Sequence, residues 1–412
     1  MLASMDVVFL CPHYPAEMPH FLRGLTDVGA RVFGIADAPV HALPEDVRRN
    51  LHAYLQVPKI LDEDDVIARA TQWLRGRDIA KVLANWEPVM LLAARMNERW
   101  GITGPGILSV DTTRGFRDKR LMKERVEAAH LRTPRSARVT TADEARLAAQ
   151  TFGFPIVIKP IAGAGSADTF RVDSEAELEQ VLPKLQRVPE AIVEEWVDGE
   201  EYTYDALCIG GEPVYENVVH YLPKPIQSRS IEHLSPAQVS LVDLDAPGIR
   251  DGVALGRNVL KALNMGDGFV HMEWYLTPKG EAVFGEIACR AGGAKLVDMM
   301  NWTSDIDLYR EWARVVCHRR FDARAPRKYH VAVVFKRATG QGRIKQITGL
   351  EAFLRDHGRH VVEDALLRPG TPRRDWKQTL LSDGFIALRH RDLDQALRLK
   401  DLVVDTISLT AG

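Results

Sequence analysis

The predicted secondary structure changes near residue 113, and this change restricts the possible folds more than any other feature of the sequence. Before it, short apolar runs such as 5–10 and 30–35 alternate with helical segments. Strands that alternate with helices favour a parallel, doubly wound α/β sheet. After it, helical segments at 118–129 and 142–152 are followed mainly by β-rich runs. We therefore expect a multidomain chain of mixed α/β and α+β class.

Three domains follow from this pattern. A chain of 412 residues gives two to four domains at roughly 150 residues each. We predict a parallel α/β domain at 1–112, a central domain at 113–320 and a small α+β cap at 321–412. The cap combines strand-like runs with two helical segments, and no internal repeat is visible.

The amino-acid composition excludes several classes of binding partner and of protein. Lysine and arginine total 54 against 56 acidic residues, so the formal net charge is −2 and no nucleic-acid partner is expected. The four cysteines are too far apart for a zinc site or a disulfide framework. No signal peptide is visible at the start, and no apolar run approaches the roughly 20 residues that span a bilayer. A cytoplasmic enzyme without a membrane partner is expected.

A glycine-rich segment at 163–168 separates two β-branched runs. Dinucleotide-binding and P-loop sites need a helix directly after the glycines, so both mechanisms are excluded here. Small residues still let backbone N–H groups approach a phosphate, although a plain hairpin tip explains the same glycines. Lys159 lies in the preceding strand, where a buried ammonium needs an anion unless the side chain reaches solvent.

The most informative element is a hairpin with its turn at 277–280. If its loop has two residues, Glu273 lies opposite Phe284 and His271 lies opposite Glu286. His271, Glu273 and Glu286 then share one face. Two such carboxylates raise each other's pKa unless a cation lies between them, and oxygen ligands with open positions suit Mg²⁺ carried by a nucleotide. A solvated sheet face is the alternative.

An arginine follows this hairpin, on the same face if the strand continues. Arg290 lies four residues beyond Glu286, just before Gly292 and Gly293 and an apolar helix. Arginine beside a helix N-terminus can bind a phosphate or a carboxylate, although a solvent-facing arginine is equally compatible with the pattern.

Residues 191–205 predict a strand, a tight turn at 198–199 and a second strand, so an ordinary hairpin is expected. Glu194 and Glu195 end the first strand, and Glu201 shares one face of the second with two further polar residues. Such a strand end could also hold adenine, with a carboxylate on the ribose hydroxyls.

Taken in this order, the motifs resemble the ATP-grasp superfamily, specifically its carboxylate–amine ligases. The segments that carry the resemblance are WEPVMLLAARMNERWGITGPG, RGFRDKRLMKERVEAAHLRTP, FPIVIKP with GAGSAD, EEWVDGEEY and HMEWYLTPKGEAVFGEIACR. The pattern E-x-A-x-R-x-G-G, with H-x-E upstream, is closest to the L-amino-acid ligases that make dipeptides. The resemblance implies an ATP-grasp fold with a Rossmann-like pre-ATP-grasp domain at 1–112, a lid subdomain at about 133–197 and a C-terminal α+β domain.

The resemblance also implies roles for individual residues. The nucleotide-binding candidates are Lys119, Lys159, Gly163, Gly165 and Ser166 at the phosphates, Glu194, Glu195 and Val197 at adenine, and Glu201 at ribose. Glu273 and Glu286 would hold Mg²⁺, for which Mn²⁺ could substitute, and the catalytic candidates are Arg290, Lys159 and Glu286. The substrate candidates are Arg229, His233, His271, Gly293 and Lys295. Many members of the superfamily carry a further asparagine ligand where this chain has Ala288.

The expected reaction joins a carboxylate to an amine through an acyl phosphate, with release of ADP and phosphate. A carboxyphosphate-forming or purine-pathway ligase and a catalytically silent nucleotide-binding module are the alternatives. The stretch 221–236, which carries Arg229 and His233, could bind a second carboxylate or be a solvated loop. The substrates are small molecules, and a homodimer is compatible with the resemblance.

Overall fold

A computed structural model of the chain describes residues 5–160, 169–185 and 190–412. The first elements are β1 (Met5–Leu10), α1 (Met18–Asp27), β2 (Ala30–Ala36), α2 (Glu45–Asn50), β3 (Ala53–Gln56), α3 (Glu63–Trp73), β4 (Ile79–Leu83) and α4 (Met90–Arg99). The strands form a parallel sheet in the order β3-β2-β1-β4. Residues Val7 to Leu10 are fully buried, as is typical of a parallel strand covered on both faces. The predicted parallel α/β start is confirmed.

The next elements are α5 (Val110–Gly115), α6 (Lys119–Ala128), β5 (Ser136–Val139), α7 (Ala142–Phe152), β6 (Ile156–Pro160), β7 (Phe170–Val172), α8 (Glu175–Val181) and β8 (Ala191–Glu195). β5 to β8 form an antiparallel sheet in the order β5-β8-β6-β7, which we call the small sheet. α7 begins at a capping box between Thr141 and Glu144. β6 pairs with β7, so the glycine-rich segment is flanked by strands as predicted. Gly163, Gly165 and Ser166 themselves lie outside the described residues.

The remaining elements are β9 (Glu200–Ile209), β10 (Glu212–Leu222), α9 (Pro225–Ser228), β11 (Ala237–Ser240), α10 (Ile249–Ala262), β12 (Gly268–Leu276), β13 (Ala282–Ala288), α11 (Leu296–Ser304), α12 (Leu308–His318), β14 (His330–Phe335), β15 (Ile344–Thr348), α13 (Leu350–His357), β16 (Val361–Asp364), β17 (Phe385–His390), α14 (Leu393–Thr406) and β18 (Ser408–Ala411). Short 3₁₀ turns span Val40–Ala42, Glu87–Val89, Leu182–Leu185 and Gly358–His360. An eight-stranded antiparallel sheet, the large sheet, has the order β13-β12-β9-β10-β11-β14-β17-β16. β14, β16 and β17 come from the segment 321–412, so this sheet crosses position 320; the domain bounds stay predictions.

Helix α10 determines which face of β12 is available for a site. A Cβ atom added at Gly252 would lie 2.1 Å from the ring of Trp274, and one added at Gly256 would lie 2.4 Å from the ring of Tyr204. Only glycine permits this close packing of the helix on the sheet. Because side chains alternate along a strand, Glu273 points to the opposite face from Trp274.

The segment 191–205 does not form the predicted hairpin. β8 pairs with β5 and β6 in the small sheet, whereas β9 pairs with β10 and β12 in the large sheet. Residues 196–199 therefore connect two sheets instead of turning one strand back on the other. Within the described ranges, no helix is long and apolar enough to cross a membrane.

Candidate active site

A cavity of about 290 Å³, which we call the central cavity, lies between the small sheet and the large sheet. It also has walls from α6, from the stretch after β10 and from residues 376–382. The predicted site residues that line it are Lys119, Lys159, Glu194, Glu195, Val197, Glu201, Arg229, His271, Glu273, Glu286, Arg290 and Gly293. Residues far apart in the sequence are thus brought to one place.

Glu273 and Glu286 lie directly opposite each other on β12 and β13. The predicted register, with Glu273 opposite Phe284 and His271 opposite Glu286, is wrong. Glu273 pairs with Glu286, and His271 pairs with Ala288. The conclusion that the two carboxylates share a face is nevertheless correct.

Two glycines, Gly280 in the loop and Gly285 in β13, explain why the observed register differs from the predicted one. The loop has three residues, because the Thr277 N–H donates to the Glu281 carbonyl at 3.0 Å and Gly280 adopts a left-handed φ of +79°. A bulge then leaves Gly285 without a partner on β12. A Cβ atom on Gly285 would lie 2.8 Å from the Glu273 carbonyl oxygen, so a glycine is required at this position.

Positive groups surround the two carboxylates. Lys119 Nζ lies 3.0 Å from Glu286, and His271 Nε2 lies 3.8 Å from Glu273. Burial would raise the pKa of Glu273, but His271, Lys119 and Lys159 hold it below its usual value. Burial would also lower the pKa of His271, yet its 2.7 Å contact with Asp205 and its contact with Glu273 raise it to about 9. Asp205 and Glu273 therefore favour the protonated form of His271.

A second charged cluster lies on the small-sheet side of the cavity. The buried Glu194 carboxylate accepts a hydrogen bond from Lys159 at 2.8 Å and another from the buried Lys123. Burial alone would raise the pKa of Glu194, but Lys159 and Lys123 hold it at about 2. Glu194 thus keeps Lys159 at the cavity wall and compensates its charge.

The connection between the sheets carries the predicted adenine and ribose residues. Glu195 forms ion pairs at 2.6 Å with Arg132 and with Arg135, which fixes the end of β8. Trp196 follows it, with the Arg171 guanidinium 4.3 Å from its ring centre. On β9, burial and the nearby Glu273 raise the pKa of Glu201 to about 8.

Arg290 lines the central cavity, and its side chain contacts Glu87 from the N-terminal segment of the chain. Its Nε donates to Glu87 Oε2 at 2.5 Å, and Arg117 contacts the other oxygen of the same carboxylate at 2.6 Å. Burial would raise the pKa of Glu87, but Arg290 and Arg117 hold it below its usual value. Glu87 therefore orients Arg290 toward the hairpin from outside the central segment.

This arrangement agrees with the comparison against known families. A sequence model described as "ATP-grasp domain" matches residues 152–298, which include β6, the sheet connection and the whole Glu273–Glu286 hairpin. The chain contains an ATP-grasp domain. The matched residues lie inside the segment 113–320, which the sequence pattern predicted to be the central domain.

Known relatives and solved structures extend the likeness beyond the ATP-grasp domain. The chain is 23% identical over 280 residues to an L-arginine-specific L-amino acid ligase of Bacillus subtilis, covering 66% of each chain. It is 24% identical over 280 residues to an alanine–anticapsin ligase of the same organism, covering 62% of this chain and 57% of that one. These alignments therefore cover less than two thirds of each relative's own length, 66% of the first and 57% of the second.

A crystal structure of an L-amino acid ligase from Bacillus licheniformis superposes with a TM-score of 0.77 at 18% identity, covering 98% of both chains. The whole chain therefore has the ATP-grasp fold, as the sequence resemblance implied.

Two of the predicted substrate residues do not line the central cavity. Lys295 Nζ pairs with Asp298 at 3.0 Å and with Glu363 at 3.5 Å, and it does not line the cavity. His233 is exposed on the stretch after α9. Their roles in substrate binding stay predictions.

Sequence reasoning missed Lys123 and Glu87. Lys123 lies one helical turn after Lys119, and this i,i+4 spacing was a signal that both could face the same site. Glu87 had no local signal, because its contact with Arg290 joins residues 203 positions apart.

The carboxylate pair fits a divalent cation carried by a nucleotide. Among the described residues, no group of three or more histidine, cysteine, aspartate or glutamate side chains has a metal-binding arrangement. Mg²⁺ commonly uses one or two carboxylates and takes its other ligands from phosphates and water. Glu273 and Glu286 match this requirement, and Ala288 adds no ligand.

Proposed function

We propose that the chain is an ATP- and Mg²⁺-dependent ligase that joins the carboxylate of an amino acid or small carboxylic acid to an amine. The observation that supports this most directly is the pair Glu273 and Glu286, placed opposite each other in one cavity with Lys159 and Arg290. The γ-phosphate and the substrate carboxylate are both anions, so their approach needs fixed positive charge.

The nucleotide would lie along the connection between the two sheets. Adenine would contact Glu195 and Val197, chiefly through their backbone, and Glu201 would accept a hydrogen bond from the ribose. Lys119 and Lys159 would bind the phosphates, and Glu194 keeps Lys159 in place. By the sequence resemblance, residues 163–167 would cover the phosphates.

Glu273 and Glu286 would hold Mg²⁺, and His271 orients Glu273. When bound, the cation neutralises charge that develops on the phosphate oxygens. Arg290, held by Glu87, would bind the transferring phosphoryl group.

In the first step, a carboxylate oxygen attacks the γ-phosphorus, the bond to the β–γ bridging oxygen breaks, and ADP leaves. In the second step, the amine nitrogen attacks the acyl carbon, phosphate leaves, and the amine releases a proton to phosphate or water. An acyl phosphate hydrolyses if water reaches it. Buried apolar residues in the cavity wall, Ile287, Leu296 and Phe335, limit that access.

The test is Mg²⁺-dependent ADP release with free amino acids, singly and in pairs, with mass spectrometry of the products. The expected result is ADP release together with a condensed product that contains an amide bond. ADP release with bicarbonate alone would favour the carboxyphosphate alternative. Tight ATP binding without turnover on any carboxylate and amine would contradict the ligase proposal.

Two variants test the site itself. Lys159→Ala removes a phosphate-binding charge and Glu286→Gln removes a metal ligand, so ADP release should fall about 1000-fold or more in each. Glu281→Gln is the matched control, because Glu281 is an exposed carboxylate on the same hairpin. Full activity in either site variant would reject the assignment.

A further inference from the structure

A second cavity, of about 70 Å³, lies between the N-terminal parallel sheet and the large sheet. Its walls come from β4, α4, α5, the start of β12 and α12. Among the described residues, none lines both this cavity and the central cavity. A volume of this size holds about two water molecules, so only a very small ligand fits.

Two buried side chains in this cavity lack hydrogen-bond partners. Asn85, just after β4, is 5% exposed, and Thr113 on α5 is 1% exposed. Within the described part of the chain, neither Asn85 Nδ2 nor Thr113 Oγ1 has a partner. The amide nitrogen can only donate, and the hydroxyl can also donate. Because a buried donor without an acceptor costs free energy, a ligand that accepts hydrogen bonds is expected beside them.

A lysine in the same wall adds a charge without a direct counter-ion. Lys81 on β4 is partly buried, and its ammonium forms no ion pair with any residue that the structure describes. Burial lowers the pKa of Lys81; Asp267 opposes this lowering, and Arg319 adds to it. Asp267 also lines the cavity, but its two oxygens accept hydrogen bonds from the Gly210 N–H at 2.6 Å and from Arg319 at 3.0 Å. The carboxylate is therefore shared with other donors.

The wall toward the central cavity adds further positive charge. Cys289 lines the second cavity, and burial raises the pKa of its thiol to about 12, so the thiol stays neutral. Beside it, Arg290 and Arg117 share the single carboxylate of Glu87. With the lysine, arginine and aspartate of the other wall, this makes four cations against two carboxylates. Water would satisfy the two unpartnered donors but would not balance this charge.

We infer that the second cavity binds a small anion of the size of chloride or formate. The anion would accept hydrogen bonds from Asn85 and Thr113 and would balance the charge of Lys81. Trp312, Phe269 and other apolar side chains form the rest of the wall, which strengthens the electrostatic attraction by excluding water. The inference concerns a site outside the central cavity and does not depend on the proposed ligase function.

Anion-dependent unfolding tests the inference in solution. Chloride or formate replaces gluconate, which is too large for the cavity, at constant ionic strength, and the unfolding midpoint is measured. At least one of the two anions should raise the wild-type midpoint with saturation. Thr113→Val and Lys81→Met should each weaken the apparent affinity about 10-fold or more. The comparison of chloride with formate shows whether the site takes a halide or a carboxylate.

Two exposed residues provide matched controls. Thr151→Val removes a hydroxyl on α7, Lys261→Met removes an ammonium on α10, and both should keep the wild-type anion dependence. Because Thr113→Val preserves the shape of the side chain, it keeps the test valid if Lys81→Met fails to fold. An anion effect of equal size in all five proteins would overturn the inference. A Thr113→Val variant that is as stable as wild type or more stable in every salt would also overturn it.

Crystals grown in bromide would locate the ion by anomalous scattering. A peak beside Asn85 and Thr113 in the wild type, absent from Thr113→Val, would support the inference. Bromide peaks confined to the protein surface, together with water in the second cavity and no effect of formate on the midpoint, would overturn it.

Discussion

The two acidic clusters on either side of the central cavity differ in how their charge is balanced. On the small-sheet side, one buried carboxylate, Glu194, contacts two lysines. On the large-sheet side, Glu273 and Glu286 face each other, with a direct lysine contact only for Glu286 among the described residues. Glu194 thus has two cations beside it, whereas Glu273, Glu286 and Asp205 share His271 and Lys119 as their direct cationic contacts among the described residues. We therefore propose that a cation from outside completes the charge balance of the second cluster. We therefore expect loss of Glu194 to lower chiefly the stability of the protein, and loss of Glu273 or Glu286 to weaken chiefly the binding of a cation.

The largest expected effect is on turnover at the hairpin. Glu286→Gln keeps the size of the side chain but removes a charge from the proposed Mg²⁺ site, so ADP release should fall about 1000-fold, equivalent to about 4 kcal/mol. The unfolding midpoint should change little, because relief of the repulsion between two facing carboxylates offsets the loss of the Lys119 contact. A large loss of stability in this variant would show that the pair is structural.

The second effect is on stability and concerns Glu194. Glu194→Gln leaves the buried Lys123 and the part-buried Lys159 without their carboxylate, so the free energy of unfolding should fall by about 3–5 kcal/mol. Glu190→Gln, which removes an exposed ion pair with Arg138, should cost under about 1 kcal/mol. Urea unfolding of the three proteins measures both values, and equal costs for the two variants would contradict the comparison.

These clusters also show which parts of the site could be predicted from sequence. Alternating strand patterns place Glu273 and Glu286 on one face even with the wrong register. The longer loop and the bulge at Gly285 each shift the pairing by one residue, and a total shift of two residues keeps the same side chains on the same face. The strand–turn–strand pattern alone could not predict that β8 and β9 pair in different sheets, because such a pattern does not specify partners. Only the lid boundary at about 197, which the family resemblance implies, separates the two strands. Glu87 was missed because only the tertiary fold brings it to Arg290.

A third effect concerns pH. Lys159 and Lys123 hold the pKa of Glu194 at about 2 in the folded protein, whereas the unfolded chain has the ordinary glutamate value of about 4.5. Its carboxylate therefore stabilises the fold fully above pH 4.5, and this contribution is lost as the pH falls toward 2. The difference in unfolding free energy between wild type and Glu194→Gln should shrink by about half at pH 3. A difference that grows as the pH falls would contradict the assigned direction.

The smallest effect concerns the bulge that aligns the hairpin. Gly285→Ala places a Cβ atom 2.8 Å from the Glu273 carbonyl oxygen, so the strand must shift and ADP release should fall about 10-fold. Gly358→Ala is the control, since a Cβ atom there meets nothing within 4 Å. Equal activity of both variants would show that the bulge does not position Glu273.

The central claim is that Glu273 and Glu286 form a divalent-cation site that a nucleotide completes. Mn²⁺ binding in the presence of ADP, measured by electron paramagnetic resonance on the intact protein, tests it without any need for turnover. We expect Glu273→Gln and Glu286→Gln each to weaken Mn²⁺ binding at least about 10-fold, and Glu281→Gln to leave it unchanged. Mn²⁺ binding that is equally tight in wild type and in both site variants would contradict the account.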